Sequence, residues 1–178
     1  MQDEIREQLL AFLPRLRRFA YALTGSLDRG DDLVQDTIER VLMHWSKFEP
    51  GTRFDSWTFK IAQNLWFNQR RSSAVRREIY DLEAAADIPG SDGRDVTENR
   101  LMLRAVQQGM AALPVDQRAV MTLVCVDGLS YKDAAEVLDV PIGTVMSRLA
   151  RARRSLFERL GPEFTFVGGD AKAERRNG

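Results

Sequence analysis

Hydroxyl and guanidinium side chains recur along residues 142–160, near the C-terminal end of the chain. Their spacing places them on one side of a helix, because an α-helix repeats every ~3.6 residues. This side comprises Thr144, Ser147, Arg148, Arg151 and Ser155. Such groups bind phosphates and base edges, so the pattern predicts contact with nucleic acid. An ordinary helical hairpin with a solvated basic face is the alternative interpretation.

The residues around this polar side predict a helix-turn-helix. Ser130 with acidic Asp133 is typical of a helix N-terminus. Asp139–Pro141 ends that helix, because a residue before proline avoids helical backbone angles. A second helix from about Ile142 has an apolar stripe of Val145, Leu149, Ala152, Leu156 and Leu160. A short helix, a tight turn and a longer basic helix are typical of a motif that reads duplex DNA.

A second set of chemically capable residues is acidic and lies on a helix predicted from about Asp28 to Trp45. Its outer face carries Asp28, Asp31, Asp32, Gln35, Asp36 and Glu39. The first of these suit the positive end of the helix dipole, but the later ones continue beyond it. No nucleophile, basic partner or phosphate loop accompanies them, which argues against carboxylate catalysis. Metal binding by Asp32 and Asp36 lacks a nearby histidine or further ligand, so docking to a basic protein is the better interpretation. The same helix is expected to turn Leu33, Val34, Thr37, Val41 and Leu42 inward.

Aromatic, basic and amide residues interleave around a third predicted helix, from Phe54 to Arg77. The aromatic residues are Phe48, Phe54, Trp57, Phe59, Trp66 and Phe67, and the polar ones are Arg53, Lys60, Asn64, Asn68, Gln69, Arg70 and Arg71. Stacking surfaces beside basic and amide groups suit single-stranded nucleic acid. Filling of a three-helix core is the competing explanation, and it is the one we favour for Trp57.

These features predict an all-α fold with two small helical domains. We assign 1–80 to the first domain, 81–96 to a flexible acidic linker, 97–160 to a second domain of four helices and 161–178 to a flexible tail. The first helix is expected from Asp3 to about Thr24, with a kink or a late start at Pro14.

Charge is distributed unevenly although the formal net charge is zero. Residues 60–79 and 141–160 each carry five basic residues against one acidic residue, whereas residues 80–98 carry six acidic residues against one basic residue. Two basic patches separated by an acidic stretch predict two separate contacts with nucleic acid.

The composition predicts a folded cytosolic protein, with 44% hydrophobic and 29% charged residues. No run approaches the ~18 to 20 apolar residues of a membrane span, and the N-terminus lacks the apolar core of a signal peptide. Cys125 is the single cysteine and is expected to be a buried small hydrophobe. Cys125 and His44 alone cannot build a zinc site, so we expect no metal and no cofactor.

Three segments of the chain resemble the extracytoplasmic-function (group 4) sigma factors of bacterial RNA polymerase. These segments are DDLVQDTIERVL, FEPGTRFDSWTFKIAQNLWFNQRR and LPVDQRAVMTLVCVDGLSYKDAAEVLDVPIGTVMSRLARARRSL, and the match spans about residues 5–160. The resemblance implies the sigma region 2 and region 4 modules, which bind the promoter −10 and −35 elements. It also implies a non-enzymatic stress-response regulator whose partners are the clamp helices and flap of core RNA polymerase, promoter DNA and an anti-sigma factor.

The resemblance also assigns residues to roles. Binding of the −35 element falls to Pro141, Gly143, Thr144, Met146, Ser147, Arg148 and Arg151, where many relatives carry a basic residue in place of Met146. The resemblance assigns binding and melting of the −10 element to Trp57 and Asn64, with the loop 47–53, which includes Lys47 and Arg53, capping a flipped base. From the aromatic-basic pattern of the third helix we add Lys60, Arg70 and Arg71 to this site. Polymerase docking falls to Asp31, Asp32, Leu33, Gln35 and Asp36.

The main rival is a transcription regulator that binds duplex DNA without being a polymerase subunit. That hypothesis explains residues 97–160 but leaves the acidic helix and the aromatic-basic helix of the first domain without a role.

Overall fold

The computed structural model describes residues 2–49, 51–77 and 98–161, and helices are the only regular elements in that part of the chain. The helices are α1 (Gln2–Thr24), α2 (Leu27–Met43), α3 (Phe54–Arg77), α4 (Glu98–Ala111), α5 (Val115–Met121), α6 (Tyr131–Leu138) and α7 (Ile142–Leu160), with a 3-10 turn at Trp45–Lys47 and a π-helical turn at Thr122–Val126. They form two compact units, of which one contains α1 to α3 and the other contains α4, α5, α7 and the start of α6. The predicted all-α fold class is confirmed.

The proposed domain boundaries stay a prediction. The predicted linker at 81–96 and residues 162–178 of the predicted tail lie outside the described residues.

In the first unit, α1, α2 and α3 pack against one another around large apolar side chains. Fully buried members of this core include Leu16, Phe19, Leu23, Leu33, Val41 and Phe59. The hydroxyl of buried Thr37 donates a hydrogen bond to the Leu33 carbonyl at 2.6 Å, which satisfies a polar group inside the core. The expectation that Leu42 points inward is wrong, because its side chain is 54% exposed. Helix α1 runs through Pro14 from Gln2, which excludes a late start and leaves the kink as the remaining prediction.

In the second unit, a buried arginine holds the connection between α4 and α5. The Arg118 guanidinium donates to the carbonyl of Ala111 at 2.9 Å and to that of Leu113 at 3.3 Å. These carbonyls belong to the end of α4 and the turn after it, where helical hydrogen bonds run out. Gly109 of α4 lets α7 approach closely, since a Cβ there would lie 2.8 Å from Leu156 Cδ2.

The predicted helix-turn-helix is formed by α6 and α7. Ser130 accepts a hydrogen bond from the Asp133 backbone N–H at 3.0 Å and caps α6, as its sequence signature predicts. Helix α6 ends at Leu138, and Asp139 adopts a left-handed backbone conformation with φ 55° before Pro141 precedes α7. Asparagine and aspartate tolerate this conformation better than most residues, so Asp139 suits the sharp turn.

Candidate nucleic-acid interface

Helix α7 buries one stripe and exposes the opposite side. Val145, Leu149, Ala152 and Leu156 are buried as predicted, whereas Leu160 is only half-buried. The residues assigned to DNA reading that face solvent are Pro141, Gly143, Met146, Ser147 and Arg151, with Thr144 half-buried. Ser147 Oγ donates to the Thr144 carbonyl at 3.1 Å, and Arg151 Nη2 donates to Ser147 Oγ at 3.5 Å. These bonds run along the outer face and orient its hydroxyl and guanidinium groups.

Arg148 lies at the flank of α7 and not on the side opposite the buried stripe. Its side chain is only 24% exposed, and its Nη2 lies 3.0 Å from the Asp116 carboxylate of α5. The expected opposite placement is therefore wrong, because position 148 lies three residues after buried Val145 and four before buried Ala152, which places it beside the packed surface. A phosphate that contacts Arg148 must compete with the carboxylate of Asp116.

Arg154 was absent from the sequence-based assignment of the −35 site, although it is exposed on α7. It follows Ser147 by seven residues and Arg151 by three, which places all three side chains near one line along a helix. The spacing alone could therefore have placed Arg154 on the DNA-facing side of the predicted helix. Ser147, Arg151 and Arg154 together form the outer row of α7.

In the first unit, four aromatic rings from the chain on either side of Pro50 pack against one another. We call Trp45, Phe48, Phe54 and Trp57 the aromatic cluster. The centroids of Trp45 and Phe48 lie 5.1 Å apart in a stacked arrangement, and those of Phe48 and Trp57 lie 5.2 Å apart. The Phe54 ring also packs edge-on against Phe12 of α1, with their centroids 5.6 Å apart. Trp57 is half-buried, so it packs in the cluster and keeps part of its surface accessible.

The residues assigned to the −10 element fall into separate groups. Trp57, Lys60, Asn64 and Arg71 follow one another by three, four and seven residues, so they share one face of α3. Asn64, Arg70, Arg71 and Lys47 are exposed, while Arg53, Trp57 and Lys60 are half-buried. Arg70 belongs to another face, where its guanidinium carbon lies 5.9 Å from the centroid of the Trp66 ring.

Arg53, at the end of the loop, is engaged with an acidic residue. Its Nε and Nη2 contact the Asp55 carboxylate at 3.1 and 2.8 Å, and Arg15 of α1 contacts the same carboxylate at 3.2 Å. Burial acts to raise the pKa of Asp55, but the Arg53 hydrogen bonds, the Ser56 backbone N–H and the charges of Arg53 and Arg15 outweigh it and lower the pKa. The carboxylate is therefore ionised at neutral pH. The sequence pattern gave no indication that Arg15, Arg53 and Asp55 meet.

The acidic face of α2 is confirmed as exposed at Asp31, Asp32, Gln35 and Asp36. The prediction that Leu33 belongs to the docking surface is wrong, since its side chain is 0% exposed and fills the core. Arg17 contacts Asp31 at 3.1 Å, and Gln69 of α3 donates to Asp36 at 3.0 Å. These contacts lie in solvent, where one ion pair contributes about 0 to 1 kcal/mol. The face thus remains accessible to a partner.

Cys125 is half-buried instead of fully buried, and its sulfur lies 4.0 Å from Arg153 Nη2. Among the described residues, no three histidine, cysteine, aspartate or glutamate side chains are grouped so as to hold a metal ion. Within the same ranges, none of the helices has the length and apolar character needed to cross a membrane.

Comparison with known proteins gives matches to both units. A family model described as Sigma-70, region 4, matches residues 103–156, and a model of the Sigma2 domain of PhyR matches residues 9–63. The chain is 37% identical to the ECF RNA polymerase sigma factor EcfG of Rhodopseudomonas palustris over 158 residues, which cover 88% of this chain and 84% of that protein. It is 33% identical to the ECF RNA polymerase sigma factor SigE of Mycolicibacterium smegmatis, over 80% of this chain and 56% of that protein.

A solved structure is also similar. The sigma factor RpoE from Bartonella quintana, in complex with the anti-sigma factor NepR, superposes with a TM-score of 0.78. The identity is 30%, and the match covers 90% of this chain and 99% of that chain.

Proposed function

Since the chain belongs to the extracytoplasmic-function sigma factors of RNA polymerase, we propose that it binds the core polymerase and directs transcription initiation to specific promoters. The observation that carries this proposal is the match to the Rhodopseudomonas palustris sigma factor. The match covers 84% of that protein and 88% of this chain, so it extends over both helical units of this chain. The chain needs no catalytic group of its own, because the polymerase supplies the catalytic metal site. We place it in the cytoplasm, where that enzyme works.

In this proposal, the second unit binds the −35 element. The outer row of α7 (Ser147, Arg151 and Arg154) is exposed and carries the hydroxyl and guanidinium groups that duplex DNA requires. Pro141, Gly143, Thr144 and Met146 lie in or next to the first turn of the same helix and approach the base edges. Arg148 takes part by exchanging Asp116 for a phosphate.

The first unit binds and opens the −10 element. Opening costs base stacking, so it needs surfaces that accept unstacked bases and the single strand. Trp57, Lys60, Asn64 and Arg71 on one face of α3 combine an aromatic, two basic groups and an amide. The loop that contains Lys47 caps a flipped base, with Arg70 beside the strand.

Two protein partners complete the proposal. The exposed residues Asp31, Asp32, Gln35 and Asp36 dock on a basic surface of the polymerase clamp, because an acidic face repels DNA and attracts such a surface. The second unit meets the polymerase flap. An anti-sigma factor controls the chain, which is supported by the similarity to a sigma factor solved with its anti-sigma factor.

Run-off transcription tests the proposed function. Core RNA polymerase is assayed with and without the full chain on a library of promoter sequences. We expect transcripts from a defined subset of promoters only when the chain is present. Sequence-specific binding to duplex DNA with no effect on polymerase would instead support the duplex-binding regulator.

Truncation of Arg151 should weaken −35 binding through lost phosphate contact. We expect Arg151→Ala to reduce the slope of log affinity against log salt concentration by about one, since each neutralised phosphate contributes about that much. Arg148→Ala should change the slope less, because Asp116 already offsets the charge of Arg148. Fluorescence anisotropy with a −35 duplex across a salt series measures both slopes.

The matched control is Arg159→Ala, which removes an exposed arginine from the last turn of α7. Its salt slope should equal that of the original chain. If Arg151→Ala keeps the original slope but loses preference at one base pair, Arg151 reads a base edge and the phosphate assignment is wrong.

A further inference from the structure

Three charged side chains meet where the loop 46–53 joins α3. Arg53 ends the loop, Asp55 lies in the first turn of α3, and Arg15 comes from α1, forty positions away from Asp55. Asp55 accepts from two nitrogens of Arg53 at 3.1 and 2.8 Å and from Arg15 at 3.2 Å. We call these residues the Asp55 cluster.

The Asp55 cluster is fixed on its inner side. The Arg15 guanidinium carbon lies 5.2 Å from the centroid of the Phe12 ring and 5.6 Å from that of Phe59, so it sits against the aromatic core. The Ser56 backbone N–H donates to Asp55 at 2.8 Å. Asp55 is only 14% exposed, compared with 38% for Arg53. The carboxylate is therefore held by the core and by α3, and it holds Arg53 in turn.

Arg53 is bound in a geometry that restricts its movement. Two adjacent guanidinium nitrogens on one carboxylate form a bidentate pair, which fixes orientation as well as distance. The Arg53 carbonyl also accepts from the Trp57 N–H at 3.1 Å. Arg53 thus connects the loop to α3 directly, and to α1 only through the Asp55 carboxylate that it shares with Arg15.

We propose that Asp55 is a positioning residue for promoter opening. It anchors Arg53 and thereby fixes the junction between the loop that carries Lys47 and the helix that carries Trp57, so that both groups are presented to the −10 element. This inference rests on the proposed function. Side chains that are already held in place lose less conformational entropy when they bind the separated strand. Arg53 then serves as the anchor of the loop and not as a contact to DNA, which revises its assignment from sequence.

The test compares Asp55→Asn, Arg53→Ala and the double variant in holoenzyme assembled from the full chain. Opening is followed by the fluorescence of 2-aminopurine placed in the −10 element of a duplex promoter. We expect each single variant to slow opening by about tenfold, as misplacement of a binding group by about 1 Å commonly costs that much or more. The double variant should be no slower than either single variant, because both changes remove the same anchor.

Further readouts separate positioning from general stability. Affinity for core polymerase and for the −35 duplex should stay unchanged in Asp55→Asn, as in the control Glu7→Gln, which alters an exposed acid of α1. If Asp55→Asn unfolds, substitutions of Arg53 decide alone, since Arg53 is partly exposed at the loop. In that case Arg53→Lys, which keeps the charge but loses the bidentate pair, is compared with Arg53→Ala. Equal slowing of opening in both supports the anchor, and opening at the original rate in Arg53→Lys means that the charge of Arg53 contacts DNA.

Two results would overturn the inference. One is opening of the −10 element by Asp55→Asn or by Arg53→Ala at the same rate as by the original chain. The other is a further loss when Arg53→Ala is added to Asp55→Asn, which would mean that Arg53 contacts DNA itself. Failure of the original chain to start transcription at any promoter would count against the proposed function instead, so the two failures are distinguishable.

Discussion

Reversing the charges at Asp32 and Asp36 should weaken binding to core RNA polymerase at least about a hundredfold and leave the chain folded. Both side chains are exposed, and the one polar contact described for them is the Gln69 hydrogen bond to Asp36, which itself lies in solvent. Both residues lie past the first turn of α2, where the helix dipole no longer explains negative charge. Close charge pairs across an interface contribute about 1.5 to 7 kcal/mol each, so two reversals should lower affinity at least about a hundredfold.

The measurement is a titration of labelled full chain, carrying Asp32→Lys and Asp36→Lys, with core polymerase. Circular dichroism and the melting temperature should change little, and binding to a −35 duplex should remain. Glu7→Lys is the control, because it reverses an exposed acid of α1 outside the acidic face. Polymerase binding retained by a folded double variant would contradict the docking assignment and favour the duplex-binding regulator.

Asn64→Ala should impair opening of the −10 element much more than binding of the closed promoter. Asn64 is exposed on the face of α3 that also carries Trp57 and Lys60. A well-placed amide contact to a base contributes about 1 to 3 kcal/mol, so opening should slow by about tenfold or more. A template with a premelted bubble at the −10 element should recover most of the activity, because its strands are already separated.

Run-off yields on duplex and bubble templates give the comparison. Gln108→Ala is the matched control, since it truncates an exposed amide on α4, and it should behave as the original chain on both templates. An equal defect of Asn64→Ala on duplex and bubble would show that Asn64 does not act at opening.

Features that depend on local spacing were predictable from the sequence. The bounds of α3, Phe54–Arg77, were predicted because Pro50 and Gly51 interrupt the chain before it and the periodicity ends after it. The buried stripe of α7 was predicted down to Leu156 by its spacing alone. The cap of α6 at Ser130 followed from a local signature.

Features that depend on a neighbouring helix were not predictable in this way. Arg148 and Leu42 both lie at the flank of a helical stripe, where the packing partner decides which side chains are covered. Leu33 is a different case, because the spacing of α2 correctly predicted it inward and only the resemblance placed it on a docking surface. The Asp55 cluster joins positions 15 and 55, and no local pattern connects residues that far apart.

The carboxylate of Asp116 beside Arg148 also bears on how the protein searches a genome. Most binding to non-cognate DNA comes from charge alone, and non-cognate sites outnumber promoters by many orders of magnitude. An arginine that is already neutralised by a carboxylate adds little to that background attraction. In the proposed −35 interface, Arg148 would contribute only where the rest of the surface fits well enough to displace Asp116. If Arg148 binds the −35 element as proposed, the pair lowers total affinity and raises discrimination, so that less of the protein is held on non-cognate DNA.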